Sequence, residues 1–148
     1  MLLSFLGEYY HSVDSKGRMI IPSKFRDGFG EVFYLCKGFE DCLMILTSEE
    51  IQKIETKIKE THLTNKGIRQ FMRIFFSGMV DVSFDPQGRV LIPKSLRAFA
   101  NIDKEATVVG TGLYLEIWQR EKWEEHRTKM DSNRGQFDYV LEALDNEA

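Results

Sequence analysis

Two stretches of this chain are written to one pattern: VDSKGRMIIPSKFR, Val13 to Arg26, returns as FDPQGRVLIPKSLR, Phe84 to Arg97. An Asp-x-x-Gly turn by itself is a common hairpin tip. These copies share Asp, Gly, Arg, Ile, Pro and a second Arg at identical spacings and a constant offset of 71, which defines a duplication. The offset also pairs Gly7 with Gly78 and Ser12 with Ser83, and with a shift of one residue it pairs Leu43 with Leu115, Ile45 with Ile117 and Glu49 with Glu121. Two copies of a unit of about fifty residues are too few for a solenoid and point to a pseudo-symmetric pair.

Within the first copy, EYYHSV and RMIIP are short, aromatic and β-branched, and DSKG between them supplies the glycine that a tight tip needs; a β-hairpin is expected. Pro22 ends the second strand and suits the first turn of a short helix, PSKFRDGF, stopped at Gly28. VFYLCKG and CLMILT read as a second strand pair. Thr47 and Glu50 form a capping box for a helix whose apolar stripe is Ile51, Ile54 and Ile58. A further helix from about Asn65 to Phe76 carries Ile68, Phe71, Met72 and Phe75 on its core face and Arg69 and Arg73 on another, and links the halves. GTGL at Gly110 reads as a strand turn. The fold class is α+β, mainly β, organised as residues 5–62, a linking helix 63–77, residues 78–130 and a tail 131–148. In that tail Phe137, Val140, Leu141 and Leu144 recur at helical spacing beside an acidic face; the stripe is expected to dock on its own chain or, failing that, on a neighbouring subunit.

Charge is unevenly spread. The tail holds five acids against Arg134, whereas Lys66 to Lys104 carries seven basic residues against Asp81, Asp85 and Asp103, a locally basic stretch inside a chain of net charge -3. A membrane span and a signal peptide are not expected: no apolar run nears twenty residues, and MLLSFLGEYY lacks a basic start. A cytoplasmic protein is expected. Cys36 and Cys42 are too few for a disulfide framework and, with His11, His62 and His126 dispersed, match no zinc pattern; they read as buried thiols in strands, with no metal or cofactor expected.

The doubled motif carries the chemistry. Asp14 and Asp85 can accept turn amides and face Arg18 and Arg89 across the neck, with Gly17 and Gly88 closing the turn, so that each tip is rigid. A planar guanidinium on a rigid tip suits phosphate oxygens and the O6 and N7 edge of guanine. Lys16 adds charge at the first tip, where Gln87 stands in the second; Lys24, Arg26, Lys94 and Arg97 follow in the short helices. These eight residues are the candidate DNA contacts. Two Asp-led turns also invite comparison with a carboxylate dyad that shares a proton, but an Arg after each turn holds its Asp ionised, so catalysis is not expected.

GEYYHSVDSKGRMIIPSKFR, MRIFFSG, DPQGRVLIPKSLR and LEIWQREKWEEH together resemble the MraZ family, bacterial transcriptional regulators of the AbrB-like swapped-hairpin class, over nearly the whole chain to about Met130. The resemblance implies two swapped-hairpin units forming one intertwined β barrel with flanking helices. It also implies homo-oligomeric rings, a nucleoid location, and binding to G-rich direct repeats in the double-stranded promoter DNA of the cell-division and cell-wall gene cluster. Arg18 and Arg89 fall on the family's motif positions and take the DNA-contact role by that resemblance. The rival reading is a ring-forming or antitoxin-like scaffold whose hairpins pair with protein.

Overall fold

A computed structural model describes residues 4–147. The first half runs β1 (Phe5–Ser12), β2 (Arg18–Ile20), α1 (Ser23–Arg26), β3 (Phe33–Lys37), β4 (Leu43–Thr47), α2 (Ser48–Lys59) and α3 (Lys66–Ser77). The second repeats that order as β5 (Val80–Val82), β6 (Arg89–Leu91), α4 (Lys94–Ala100), β7 (Glu105–Gly112), β8 (Leu115–Gln119), α5 (Arg120–Ser132) and, after a 3-10 turn (Arg134–Gln136), α6 (Phe137–Glu147). The duplication therefore extends through the last helix.

The halves are interwoven. β1 pairs antiparallel with β7 along its whole length, β5 pairs with β3, and β2 pairs with β6 with Met19 opposite Val90. The large sheet has the order β1-β7-β8-β4-β3-β5, in which each half's first strand lies at an edge beside the other half's third. The expected local hairpin is thus confined to its tip. One bridge, Val13 to Met19, and the Asp14 N–H donation to the Arg18 carbonyl close it, and then the strands part. The alternation of RMII and RVLI explains the exchange. Met19, Ile21 and Phe25, with their counterparts Val90, Ile92 and Leu96, are at most 2% exposed, in one core drawn from both halves.

A closed barrel is not what the described residues form. The six-stranded sheet is open, ending at β1 and β5, and β2 with β6 makes a separate two-stranded ribbon. The outer face of the sheet is covered in two patches. α2 and α3 bring Ile51 and Phe75 onto Cys36, Met44 and Leu46, while α5 sets Trp123 beside Trp118, Val109 and Cys42.

Several local expectations change in the fold. Thr47 accepts the Glu50 N–H at 3.1 Å as a cap should, but the Glu50 carboxylate turns to Lys53 at 3.1 Å, so the box is half made. Gly7 and Gly78 match in letter only: Gly7 sits at positive φ inside β1, and Gly78 ends α3 at a φ of −94°. Gly110 lies within β7, where a Cβ would stand 2.6 Å from the β1 backbone at Phe5 and Leu6; the turn comes two residues later, at Gly112 to Tyr114. Cys36 is in β3, but Cys42 precedes β4; both are free and buried. No helix of the described residues is long and apolar enough to cross a membrane.

The tail departs most from expectation. α6 forms, but its apolar stripe does not dock on its own half: Phe137, Val140, Leu141 and Leu144 are 42–59% exposed, and its contacts are chiefly with the 3-10 turn. On the second half the corresponding patch of the sheet carries the Trp118 and Trp123 rings, 5.4 Å apart, under α5.

Candidate functional site

Each tip is built from its own Asp. Asp14 Oδ1 accepts the backbone N–H groups of Lys16 and Arg18, each at 2.9 Å, and its Oδ2 accepts Arg18 Nε at 2.8 Å. Asp85 repeats this with Gln87 at 2.9 Å, Arg89 at 2.8 Å and Arg89 Nε at 2.7 Å. The turn closes through Gly17 N–H to the Asp14 carbonyl and Gly88 N–H to that of Asp85, with φ of 85° and 77° at the glycines. A side chain at either position would be strained on that ground alone. Both carboxyls are held below the ordinary aspartate value, first by the backbone N–H of Arg18 or Arg89 and then by the same residue's guanidinium. A proton-sharing dyad requires the opposite, one carboxyl pushed up.

The tips are also tied to each other. Arg89 Nη1 stands 3.7 Å from Asp14 Oδ2. Arg26 donates its Nε to the Ile21 carbonyl at 3.0 Å and lays its guanidinium against Gly88 of the other half; a Cβ there would collide with it. Arg97 mirrors this, bonding the Ile92 carbonyl at 2.9 Å and covering Gly17, where a Cβ would lie 2.7 Å from its Cζ. Gly17 and Gly88 are therefore required twice, for the turn and for this close approach, and both are buried. The short helices serve to deliver these arginines, and Pro22 and Pro93 set the helices' first turns.

Of the sequence candidates, Lys16 and Gln87 stand exposed at the tips, and Lys94 is exposed at the start of α4. Lys24 is exposed too, with its ammonium 4.5 Å from the Tyr9 ring centroid. Arg18 and Arg89 lie on the outer face of the β2–β6 ribbon, their side chains 32% and 26% exposed. Arg26 and Arg97 are half-buried, as Arg18 and Arg89 are, and each also braces the glycine of the opposite tip. Spacing put these cations near the tips but could not show which glycine each guanidinium covers. Sequence reasoning also missed Ile20 and Leu91, 42% and 55% exposed, which pair with Arg89 and Arg18 across the ribbon. The period-two alternation with buried Met19 and Val90 was the signal for them.

Chemically, the ribbon offers two guanidinium groups whose Nε is spent on a carboxylate and whose orientation is thereby set. Their Nη amino groups form a fork suited to a pair of acceptor atoms on a planar edge or a phosphate. Elsewhere, Glu40, Cys42 and Glu116 bring ligand-type atoms within 4.8 Å of one another. Burial pushes the Cys42 thiol and the Glu116 carboxyl up, the direction that opposes metal ligation.

The family model described as "MraZ protein, putative antitoxin-like" matches the chain twice, over residues 4–74 and 75–138. A protein of Clostridium tetani named transcriptional regulator MraZ is 53% identical over 122 residues, covering 82% of this chain and 86% of that protein. One of the same name from Acetivibrio thermocellus is 47% identical over 122 residues, with 82% and 85% covered.

Proposed function

The chain belongs to the MraZ family, and on that premise we propose that it is a DNA-binding transcriptional regulator that reads double-stranded promoter DNA with its β2–β6 ribbon and the flanking tips. The observation that carries this reading is the pair Arg18 and Arg89. Each is anchored through Nε to its turn Asp, and both are set on one exposed face by a ribbon to which each half contributes one strand. A pre-oriented fork loses little entropy on binding, and bidentate contact with guanine O6 and N7 is the match that arginine makes best. Lys16, Lys24, Lys94 and Gln87 stand where they can meet the phosphates alongside, contacts that position without reading. Arg26 and Arg97 hold the tips from beneath.

The finer reading follows the family resemblance: G-rich direct repeats upstream of the cell-division and cell-wall gene cluster, a cytoplasmic, nucleoid-associated protein, and assembly into a homo-oligomeric ring. No cofactor, small-molecule substrate or catalysis belongs to it. Several subunits on several repeats supply avidity that one ribbon, with few base-reading side chains, does not.

The test is titration of the chain against DNA from upstream of its own gene at two or more salt concentrations. Arg18→Ala is expected to lose about 1–3 kcal/mol per contact, roughly five- to 150-fold in affinity, with its circular dichroism unchanged. Affinity that falls steeply with salt supports a phosphate-contacting surface, whereas salt-insensitive binding to a protein partner would favour the scaffold reading. Unaltered binding of promoter DNA by a folded Arg18→Ala protein would refute the assignment.

A further inference from the structure

The order of elements makes α6 the counterpart of α3, since each follows the helix that leaves the fourth strand of its half. Their circumstances differ. α3 buries Phe75 against its own half, while α6 leaves Val140, Leu141 and Leu144 at 54–59% exposure and Tyr139 at 77%. An isolated helix of this length is marginal in water, so the apolar face calls for a surface to cover. Beside that face run Asp138, Glu142 and Asp145, and α6 contains no basic residue.

A surface of matching character exists on the same chain. Between the end of α2 and α3 lies a valley of about 530 Å³ walled by Ile58, Leu63, Met72 and Phe76, with Lys59 and one acid, Glu55, in its lining. Leu63 is 62% exposed there, and α3 carries Lys66, Arg69 and Arg73 without a single acid. The stripe and the valley match in polarity, and the three cations of α3 beside the valley are opposite in sign to the acids of α6.

We propose that α6 of one chain docks in the α2–α3 valley of a second copy. Occupation of its own valley is disfavoured by the fold. α5 is pinned over β7 and β8 and tied to β1 by Trp123 Nε1 and Arg127 Nη1, which donate to Glu8 at 2.8 and 3.0 Å. α3 lies over β3, on the far side of β4 from the strands that carry α5. A tail-to-valley contact is heterologous, joining unlike surfaces of identical chains, so it propagates from copy to copy and closes into a ring when the rotation allows. The inference deepens the self-assembly part of the proposed function, and its readout needs no DNA.

Two variants test it by complementation in sedimentation velocity. A chain ending at Ser132 keeps the valley and lacks the tail; Leu63→Glu keeps the tail and places a charge in the valley at an exposed position that the fold does not need. Each alone is expected to lose the wild-type assembly, and an equimolar mixture to regain a one-to-one pair, because one intact tail meets one intact valley. Leu141→Glu with Leu144→Glu, which leaves α5 whole, is expected to behave as the truncation does. Assembly that survives truncation, or a mixture that fails to pair while both variants keep native circular dichroism, overturns the docking and leaves the DNA reading standing. A wild-type chain that sediments as a monomer overturns the docking and the ring together. Failure of promoter binding by chains that still assemble through the tail counts against the DNA reading alone.

Discussion

Arg18 and Arg26 share a motif but do different work, and their substitutions should separate. Removing Arg18 takes away a contact and leaves the tip closed. Removing Arg26 takes the cover from Gly88, in the opposite half. Amide exchange should therefore rise at Gln87, Gly88 and Arg89 in Arg26→Ala and stay unchanged at Lys16 to Arg18, with the reverse in Arg97→Ala; exchange rising at the mutated half's own tip would contradict the cross-brace. Gly88→Ala should be worse than an ordinary positive-φ substitution, because strain and collision with Arg26 add. Asp14 and Asp85 give the tips a pH dependence of definite sign. Their carboxyls are lowered in the fold, so the stabilisation is complete above the ordinary aspartate value of 3.8 and is lost as pH falls through the lower folded values. Tip amide protection relative to the unfolded chain, followed downward from about pH 5, should fall only below about pH 4, and Asp14→Asn should remove the first tip's share of that acid step.

At the level of elements, the β2–β6 ribbon stands on very little backbone. Three residue pairs join it, and its inward residues, Met19 at 1% and Val90 at 0% exposure, anchor it to the core. Met19→Ala should cost about 2–5 kcal/mol as a cavity in that anchor. It should also weaken DNA binding although Met19 is buried on the inner face of the ribbon, which thermal denaturation and titration on one preparation would show together. The helices were legible because capping and periodicity are local: Thr47 and Asn65 both cap as their sequence positions suggest, accepting the Glu50 and Ile68 N–H groups at 3.1 Å each. Local signals failed at the hairpin and at Gly110. Whether Arg18 to Ile20 pairs with its neighbour or with a copy 71 residues on depends on which partner buries Met19, and a Gly inside a strand looks like a Gly in a turn.

Taken whole, the molecule has no half that is complete by itself. The three pairings that seat β1, β2 and β5 all cross from one half to the other. Residues 1–77 and 78–148 expressed separately should each fail to fold as a monomer, and mixing them should restore the native spectrum; a half that folds alone as a stable monomer would show that the exchange is dispensable.

The sequence by itself determined the duplication, the α+β class, the closing chemistry of each tip and the family, because these rest on residues within a few positions of one another or on exact recurrence. It could also show that the tail would be an amphipathic acidic helix. What only the tertiary structure decided is which copy each strand serves. It set Arg26 and Arg97 beneath the opposite glycines, turned Ile20 and Leu91 outward with the arginines, left the sheet open, and left α6 without a seat in its own half. The physical reason is the same throughout. Two near-identical halves offer near-identical local partners, so the choice between them is made by burial summed over the whole core, and no local window of the chain contains that sum.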